Sequence, residues 1–127
     1  MKSKFDYKEY SEWVKKLGET EEDFRKWLES FLLEEAYRVL AKGKPRTPVD
    51  TGYLKNSWYV GDINWVGNNL QVEIGLNAEY ASYVEYDGIT RNYKGKYMLA
   101  ISVDEVQRQL PARFNQAWLM FIKSKGV

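Results

Sequence analysis

The strongest constraint on the fold is an apolar stripe that recurs every three or four residues between Phe24 and Leu40. This spacing places the apolar side chains on one face of a long helix. We expect the helix to end near Ala41, because Gly43 is a natural terminator and Pro45 and Pro48 oppose further helix. The rest of the chain must supply the surface against which this face packs.

A shorter helix is predicted upstream. An apolar face between about Tyr7 and Leu17 has helical spacing, and Gly18 ends the segment. We expect one domain over residues 1–127, with residues 1–18 as a helical extension and residues 19–127 as the core.

Two segments of alternating apolar residues then predict a β-hairpin. A bulge is expected at Gly61 in the first strand, and Gly67 to Asn69 supplies the turn. The apolar residues are Trp58, Val60, Ile63 and Trp65 in the first strand, and Leu70, Val72, Ile74 and Leu76 in the second.

The remaining elements complete the predicted domain. Ala78 to Tyr86 is predicted as a short helix, and Tyr97 to Val103 as a further strand. The last helix is expected from about Val103 to Lys123, kinked or restarted at Pro111. The predicted fold class is α+β, with a long N-terminal helix and a C-terminal helix packed on a small antiparallel sheet.

Two residue types that dominate catalytic sites are missing from the sequence, which has no cysteine and no histidine. Their absence excludes disulfides and cysteine nucleophiles, and it removes the commonest general base and metal ligand. Asp50 and Glu85 with a lysine are a conceivable nuclease site, but their spacing does not require one. The carboxylates between Asp62 and Asp87 lack the spacing of a calcium loop. We expect no enzymatic activity, no metal and no cofactor.

Charge is unevenly distributed, although the formal net charge is only +1. The segment from Gly61 to Asp87 contains acidic residues and no lysine or arginine, whereas basic residues outnumber acidic ones from Gly88 onward. Ordinary surface variation is one interpretation. The other is that the acidic surface of one copy meets the basic surface of a neighbour in a head-to-tail ring.

The basic loop from Arg91 to Tyr97 interleaves cations with aromatic rings, as single-strand binders do. A solvated, mobile loop is the alternative interpretation, and in an assembly the loop could reach a neighbour or face DNA in a channel. The near-neutral total charge argues against a typical nucleic-acid binder. The candidate interface residues are Arg91, Tyr93, Lys94 and Lys96.

The sequence carries no signal for export or membrane insertion. The amino terminus has charges with no apolar stretch behind them, so no signal peptide is predicted. The longest apolar run, Ala117 to Ile122, is far too short to span a membrane. We expect synthesis in the cytoplasm and no membrane partner.

Two motifs flanking the hairpin carry a family resemblance. The first reads Thr47-Pro48-Val49-Asp50-Thr51-Gly52-Tyr53-Leu54-Lys55-Asn56-Ser57-Trp58, and the second reads Glu79-Tyr80-Ala81-Ser82-Tyr83-Val84-Glu85-Tyr86. In order and separation they resemble the gene-product-ten-like tail components of tailed phages and prophages. The positions that match are Thr47, Pro48, Asp50, Thr51, Gly52, Leu54 and Ser57 in the first motif, and Tyr80, Ala81, Val84 and Glu85 in the second.

The resemblance continues into Gly95-Lys96-Tyr97-Met98-Leu99 and covers roughly Glu22 to Lys123. It departs from the family pattern at Asp87, which stands between the aromatic residue of the second motif and Gly88. Asp50 and Thr51 are expected to cap backbone amides rather than to bind a ligand.

The resemblance implies a non-catalytic structural protein of the virion, acting at the head–tail interface as a neck or tail-completion component. Copies would form a ring beside the connector or neck proteins and the tail tube or tail terminator, with possible passing contact with DNA in the channel. The protein would be made in the host cytoplasm. A tail terminator and a nucleic-acid-binding accessory module are the alternatives.

Overall fold

A computed structural model describes residues 21–49, 52–88 and 90–124. In chain order the elements are α1 (Glu21–Arg46), a 3₁₀ turn (Lys55–Ser57), β1 (Trp58–Val66), β2 (Asn69–Leu76), α2 (Ala81–Glu85) and α3 (Met98–Ser124). Two long helices and a two-stranded antiparallel sheet confirm the predicted α+β class. The helix predicted over about Tyr7 to Leu17 lies outside the described residues.

Helix α1 buries the predicted apolar face, but it continues past its predicted end near Ala41 and includes Pro45 in its last turn. Side chains also serve two carbonyls near this end of the helix. Thr47 Oγ1 donates to the Gly43 carbonyl at 2.8 Å, and Arg46 Nη1 donates to the Lys42 carbonyl at 3.5 Å. These contacts replace part of the hydrogen bonding that a helix end loses.

Gly43 does not end α1, and its small size serves packing instead. A Cβ atom at this position would lie 2.2 Å from the indole ring of Trp58. The glycine therefore lets the first residue of β1 pack directly against the helix backbone. This contact fixes the hairpin to the C-terminal end of α1.

The predicted hairpin is present, with β1 and β2 paired antiparallel. Val66 pairs with Asn69 across the turn, where Gly67 has a φ of 62°, as the first central position of a type II′ turn requires. The register shifts between Val60 and Ile63, which confirms the predicted bulge at Gly61. Alternate side chains of β2 are buried, and the other face of the sheet is polar.

The strand predicted over Tyr97 to Val103 is wrong, because α3 begins at Met98 and runs without a break through Pro111. Apolar residues at alternate positions suggested a strand. The buried residues instead follow helical spacing, with Met98, Ser102 and Val106 on one face. Ser102 is polar, but it can be buried on this face because its hydroxyl donates a hydrogen bond to the Met98 carbonyl at 2.5 Å.

Helices α1 and α3 pack together along their length. At the start of α1 and the end of α3, six rings stack or meet edge to face: Phe24, Trp27, Phe31, Phe114, Trp118 and Phe121. Trp58 is buried, while Trp27, Trp65 and Trp118 are partly buried against the core. Trp13 lies outside the described residues. Within the described part of the chain, no helix is sufficiently long and apolar to cross a membrane.

Candidate interaction surface

The first motif folds into a buried joint between α1 and the hairpin. Thr47, which is 4% exposed, donates to the Gly43 carbonyl and accepts a hydrogen bond from Trp58 Nε1 at 2.8 Å. One hydroxyl therefore serves as donor and acceptor between two elements. An apolar residue here would leave the indole N–H buried without its acceptor.

The rest of this loop holds its own turn. Gly52 has a φ of 82°, a conformation that favours glycine, and its carbonyl accepts from the Asn56 amide. Ser57 Oγ donates to the Leu54 carbonyl at 2.7 Å, and Leu54 itself is buried. Pro48 is exposed. Asp50 and Thr51 lie outside the described residues, so their capping role stays a prediction.

The second motif provides the cap of the last helix. Glu85, at the end of α2, is 4% exposed, and its two carboxylate oxygens accept from the backbone amides of Leu99 and Ala100, each at 3.0 Å. These amides belong to the first turn of α3, where an acceptor and a negative charge are both stabilising. Both carboxylate oxygens of Glu85 are thus used within the fold.

Helix α2 and the start of α3 hold each other in a second way. The amides of Lys96 and Tyr97 donate to the carbonyls of Val84 and Glu85, at 2.9 and 3.0 Å. Gly95 lies so close to this backbone that a Cβ atom would approach the Glu85 carbonyl oxygen to 2.4 Å. This close packing of the two backbone segments therefore requires glycine at position 95.

Asp87, the residue that departs from the family pattern, ties down the following loop. Its Oδ1 atom accepts from the Gly95 amide at 2.7 Å. This bond and a hydrogen bond from the Tyr97 hydroxyl hold the pKa of Asp87 below its ordinary value. The extra residue thus closes the loop between α2 and α3.

The basic loop is folded back on α2. The amide and carbonyl of Gly88 pair with those of Tyr93, and the Arg91 guanidinium lies 4.9 Å from the Tyr83 ring and 4.5 Å from the Tyr93 ring. Arg91 also donates to the carbonyls of Tyr83 and Tyr86, at 2.5 and 3.3 Å. The arginine therefore organises its own loop, while Lys94 and Lys96 project into solvent.

Exposed tyrosines cluster on these two motifs. We call Tyr53, Tyr80, Tyr83 and Tyr86 the tyrosine surface; they are 52, 39, 63 and 55% exposed. Tyr53 and Tyr80 have ring centroids 6.0 Å apart, and the Tyr86 ring meets Tyr97 edge to face. Beside Tyr86, a groove of about 350 Å³ is lined in part by Ile74, Leu99 and Val103.

The tyrosine surface is held in place by polar contacts. The Tyr53 hydroxyl donates to Glu79 at 3.1 Å, which raises the pKa of Tyr53. Tyr83 is fixed by Arg91. Tyrosine and arginine are enriched where proteins bind other proteins, because they offer rigid contact area together with hydrogen bonds.

The structure brings the two motifs and the basic loop to one end of the molecule. Thr47, Leu54, Ser57 and Glu85 support the fold, and Tyr80 belongs to the exposed surface. Ala81 and Val84 are partly buried against the core. Tyr53, Tyr83 and Tyr86 were not predicted as interaction residues, although Tyr80, Tyr83 and Tyr86 recur at helical spacing. Among the described residues, no three acidic side chains cluster as a metal site would require.

Comparison with known proteins matches more than half of the chain to a family. The family model HK97-gp10_like, described as "Bacteriophage HK97-gp10, putative tail-component", matches residues 11–86. This range contains both motifs and the hairpin, and it stops before the loop that Asp87 closes. No curated protein and no solved structure matches the chain.

Proposed function

We propose, from the premise that this chain belongs to the HK97-gp10-like family of bacteriophage tail components, that it acts where the phage tail meets the head. A tail component is a structural protein of the virion. The finer proposal is that several copies form a ring at the neck and complete the tail for joining.

The observation that carries this proposal is how the family motifs are used. The polar groups of Thr47 and Glu85 form hydrogen bonds within the fold. The same two segments hold four exposed tyrosines on a rigid support: Tyr53, Tyr80, Tyr83 and Tyr86. A rigid aromatic surface loses little conformational entropy on association. The motifs therefore support contact with another protein rather than turnover of a substrate.

The distribution of charge supports a ring of identical copies. The polar face of the hairpin exposes Asp62 and Glu73, whereas the loop after α2 exposes Lys94 and Lys96. Opposite charges on different surfaces of one subunit favour head-to-tail contacts, which close into a ring when the rotation allows. We propose that residues 1–127 act as one domain in this ring, with residues 1–18 as an extension.

The partners follow from this position. The ring would contact the connector or neck proteins on one side and the tail tube or tail terminator on the other. DNA would pass through the ring, and only Lys94 and Lys96 of the basic loop would be available to touch it, since Arg91 is engaged by Tyr83 and Tyr93. We propose no enzymatic activity and no cofactor.

Particles assembled without this protein test the proposal. We expect electron microscopy to show full heads and separate, complete tails, with joining restored when the protein is supplied. Tails of uncontrolled length would instead indicate a tail terminator. Normal infectious particles would contradict both functions.

A further inference from the structure

The ring cluster between α1 and α3 reaches the end of the helix pair. Phe24 lies only three residues after Glu21, the first residue of α1, yet it is 0% exposed. Its ring contacts Trp27 on the same helix and Trp118 and Phe121 on α3. These three neighbouring rings are only partly buried. The end of the helix pair therefore presents an apolar surface beside the point where the preceding chain enters α1.

The chain before α1 carries an apolar face of its own. We call residues 7–17 the N-terminal segment; its apolar residues recur at helical spacing and are Tyr10, Trp13, Val14 and Leu17. A single helix of this length is marginal in water and depends on packing of its apolar face. The family match begins at residue 11, so the family pattern includes most of the N-terminal segment. As a helix, the segment therefore requires a surface of the same domain to pack against.

The link between the N-terminal segment and α1 limits where the segment packs. Gly18, Glu19 and Thr20 are the only residues between the end of the segment and Glu21. Connections of this length place successive helices side by side in antiparallel orientation. A helix over residues 7–17 is about 16 Å long. Folded back on α1, it extends from Glu21 to about Phe31, which is the last residue of α1 in the ring cluster.

We propose that the N-terminal segment folds back on the start of α1 and packs its apolar face into the groove between α1 and α3 of the same chain. Trp13 is the central residue of this face, and it meets the rings of Phe24, Trp118 and Phe121. The proposal concerns packing within one chain and does not depend on the ring of copies.

Charge and connectivity favour this occupant over a separate protein. Lys15 and Lys16 come just before the link, and the exposed Glu22 and Asp23 come just after it. Folding back brings these opposite charges together, which is mildly favourable at a surface. A three-residue link also gives the segment an effective concentration in about the millimolar range at this surface. A second copy or a different protein has to compete with that concentration.

A spin label on the N-terminal segment tests the contact in the full-length chain. The sequence has no cysteine, so Lys15→Cys, on the polar side of the segment, carries the only nitroxide label. The readout is the methyl signal of isotope-labelled Met120, compared with the label oxidised and reduced. Met98 is the internal control, since it lies 22 residues away on the same helix, about 33 Å. We expect Met120 to lose most of its intensity and Met98 to keep it.

A mixed sample separates packing within one chain from packing on another copy. Spin-labelled chains without isotope are mixed with isotope-labelled chains without a spin label. We expect the Met120 signal to keep its intensity in this mixture. A loss as large as that within one chain would show that the segment packs on a second copy and would overturn the proposal. Full Met120 intensity in the singly labelled chain would overturn it as well, while leaving the proposed function intact.

A pair of substitutions tests the apolar face. We expect Trp13→Ala, in the spin-labelled chain, to restore the Met120 signal and to lower the melting temperature. Glu12→Ala changes the neighbouring residue on the polar side and is the matched control, which should alter neither. A Met120 signal that stays suppressed in Trp13→Ala would overturn the assignment of this face to the contact.

Discussion

Arg113 Nε lies 2.8 and 2.9 Å from the two carboxylate oxygens of Glu35 and so links α3 to the middle of α1. Glu35 is 1% exposed, and Arg38 Nε reaches the same carboxylate at 3.0 Å. Arg113 also donates to the Val106 carbonyl and to Gln109. The buried charge is therefore paired and hydrogen-bonded, as burial requires.

Removing this carboxylate should destabilise the fold strongly. In Glu35→Ala, the partly buried Arg113 loses its partner, and the expected loss in the free energy of unfolding is about 3–5 kcal/mol. Urea denaturation measures this loss. The control is Glu22→Ala, which removes an exposed pair with Lys26 and should cost no more than about 1 kcal/mol. Equal losses in the two variants would contradict a structural role for the Glu35 pair.

Glu85 should be needed at the start of α3. Glu85→Ala leaves the Leu99 and Ala100 amides without their acceptor, and the expected cost is about 1–3 kcal/mol. Glu85→Gln keeps one acceptor oxygen and should recover part of the loss. Thermal unfolding gives the stability, and amide exchange at Leu99 and Ala100 locates the effect. Unchanged exchange at both amides would show that Glu85 does not cap this helix.

Acid should weaken the loop after α2 and the contact between α1 and α3. The pKa of Asp87 is lowered by the Gly95 amide and the Tyr97 hydroxyl, and the pKa of Glu105 is lowered by Arg46. Since the folded pKa values lie below the ordinary values of 3.8 and 4.5, both groups stabilise the fold above those values. Their contribution is lost as the pH falls through the folded pKa values.

The measurement is the melting temperature between neutral pH and about pH 3, a range that spans the ordinary carboxyl pKa values. Asp87→Asn should lower the melting temperature at neutral pH and make its fall in acid shallower. Asp62→Asn makes the same change of charge on the hairpin and serves as the control. A fall in acid that is as steep in Asp87→Asn as in the unaltered protein would contradict the prediction.

The tyrosine surface should matter for assembly more than for folding. Tyr83→Ala and Tyr86→Ala remove exposed rings, and we expect at least about a tenfold loss in the apparent affinity between copies, as for other interface aromatics. Tyr37→Ala removes a ring of similar exposure on α1 and is the matched control. Analytical ultracentrifugation measures the association. A similar loss in all three variants would show that this surface has no special role.

The elements that sequence predicted well depend on local periodicity. The helical spacing of apolar residues from Phe24 to Leu40 and the alternation of apolar and polar residues in β2 each extend over several residues. Each helix or strand assignment therefore rests on more than one position. The start of α3 could not be predicted in this way, because the side chain that caps this helix belongs to Glu85, which lies 13 residues before Met98 in the sequence. Gly43 was predicted to end α1, but it instead provides space for the ring of Trp58, and no local sequence pattern indicates that contact.

The candidate site was predictable only in part for a related reason. Motif spacing identified Thr47 and Glu85, but it did not show that their polar groups are used inside the fold. Arg91 resembled a residue free to bind a partner, whereas two carbonyls and two rings hold it in place. The exposure of Tyr53, Tyr83 and Tyr86 depends on how the segments pack, which is a tertiary property.

The central claim is tested most directly by finding the protein in the finished particle. Cryo-electron microscopy and mass spectrometry of purified virions would measure its position and copy number. We predict several copies in a ring between the head connector and the tail tube. Infectious virions that contain none of this polypeptide would contradict the claim.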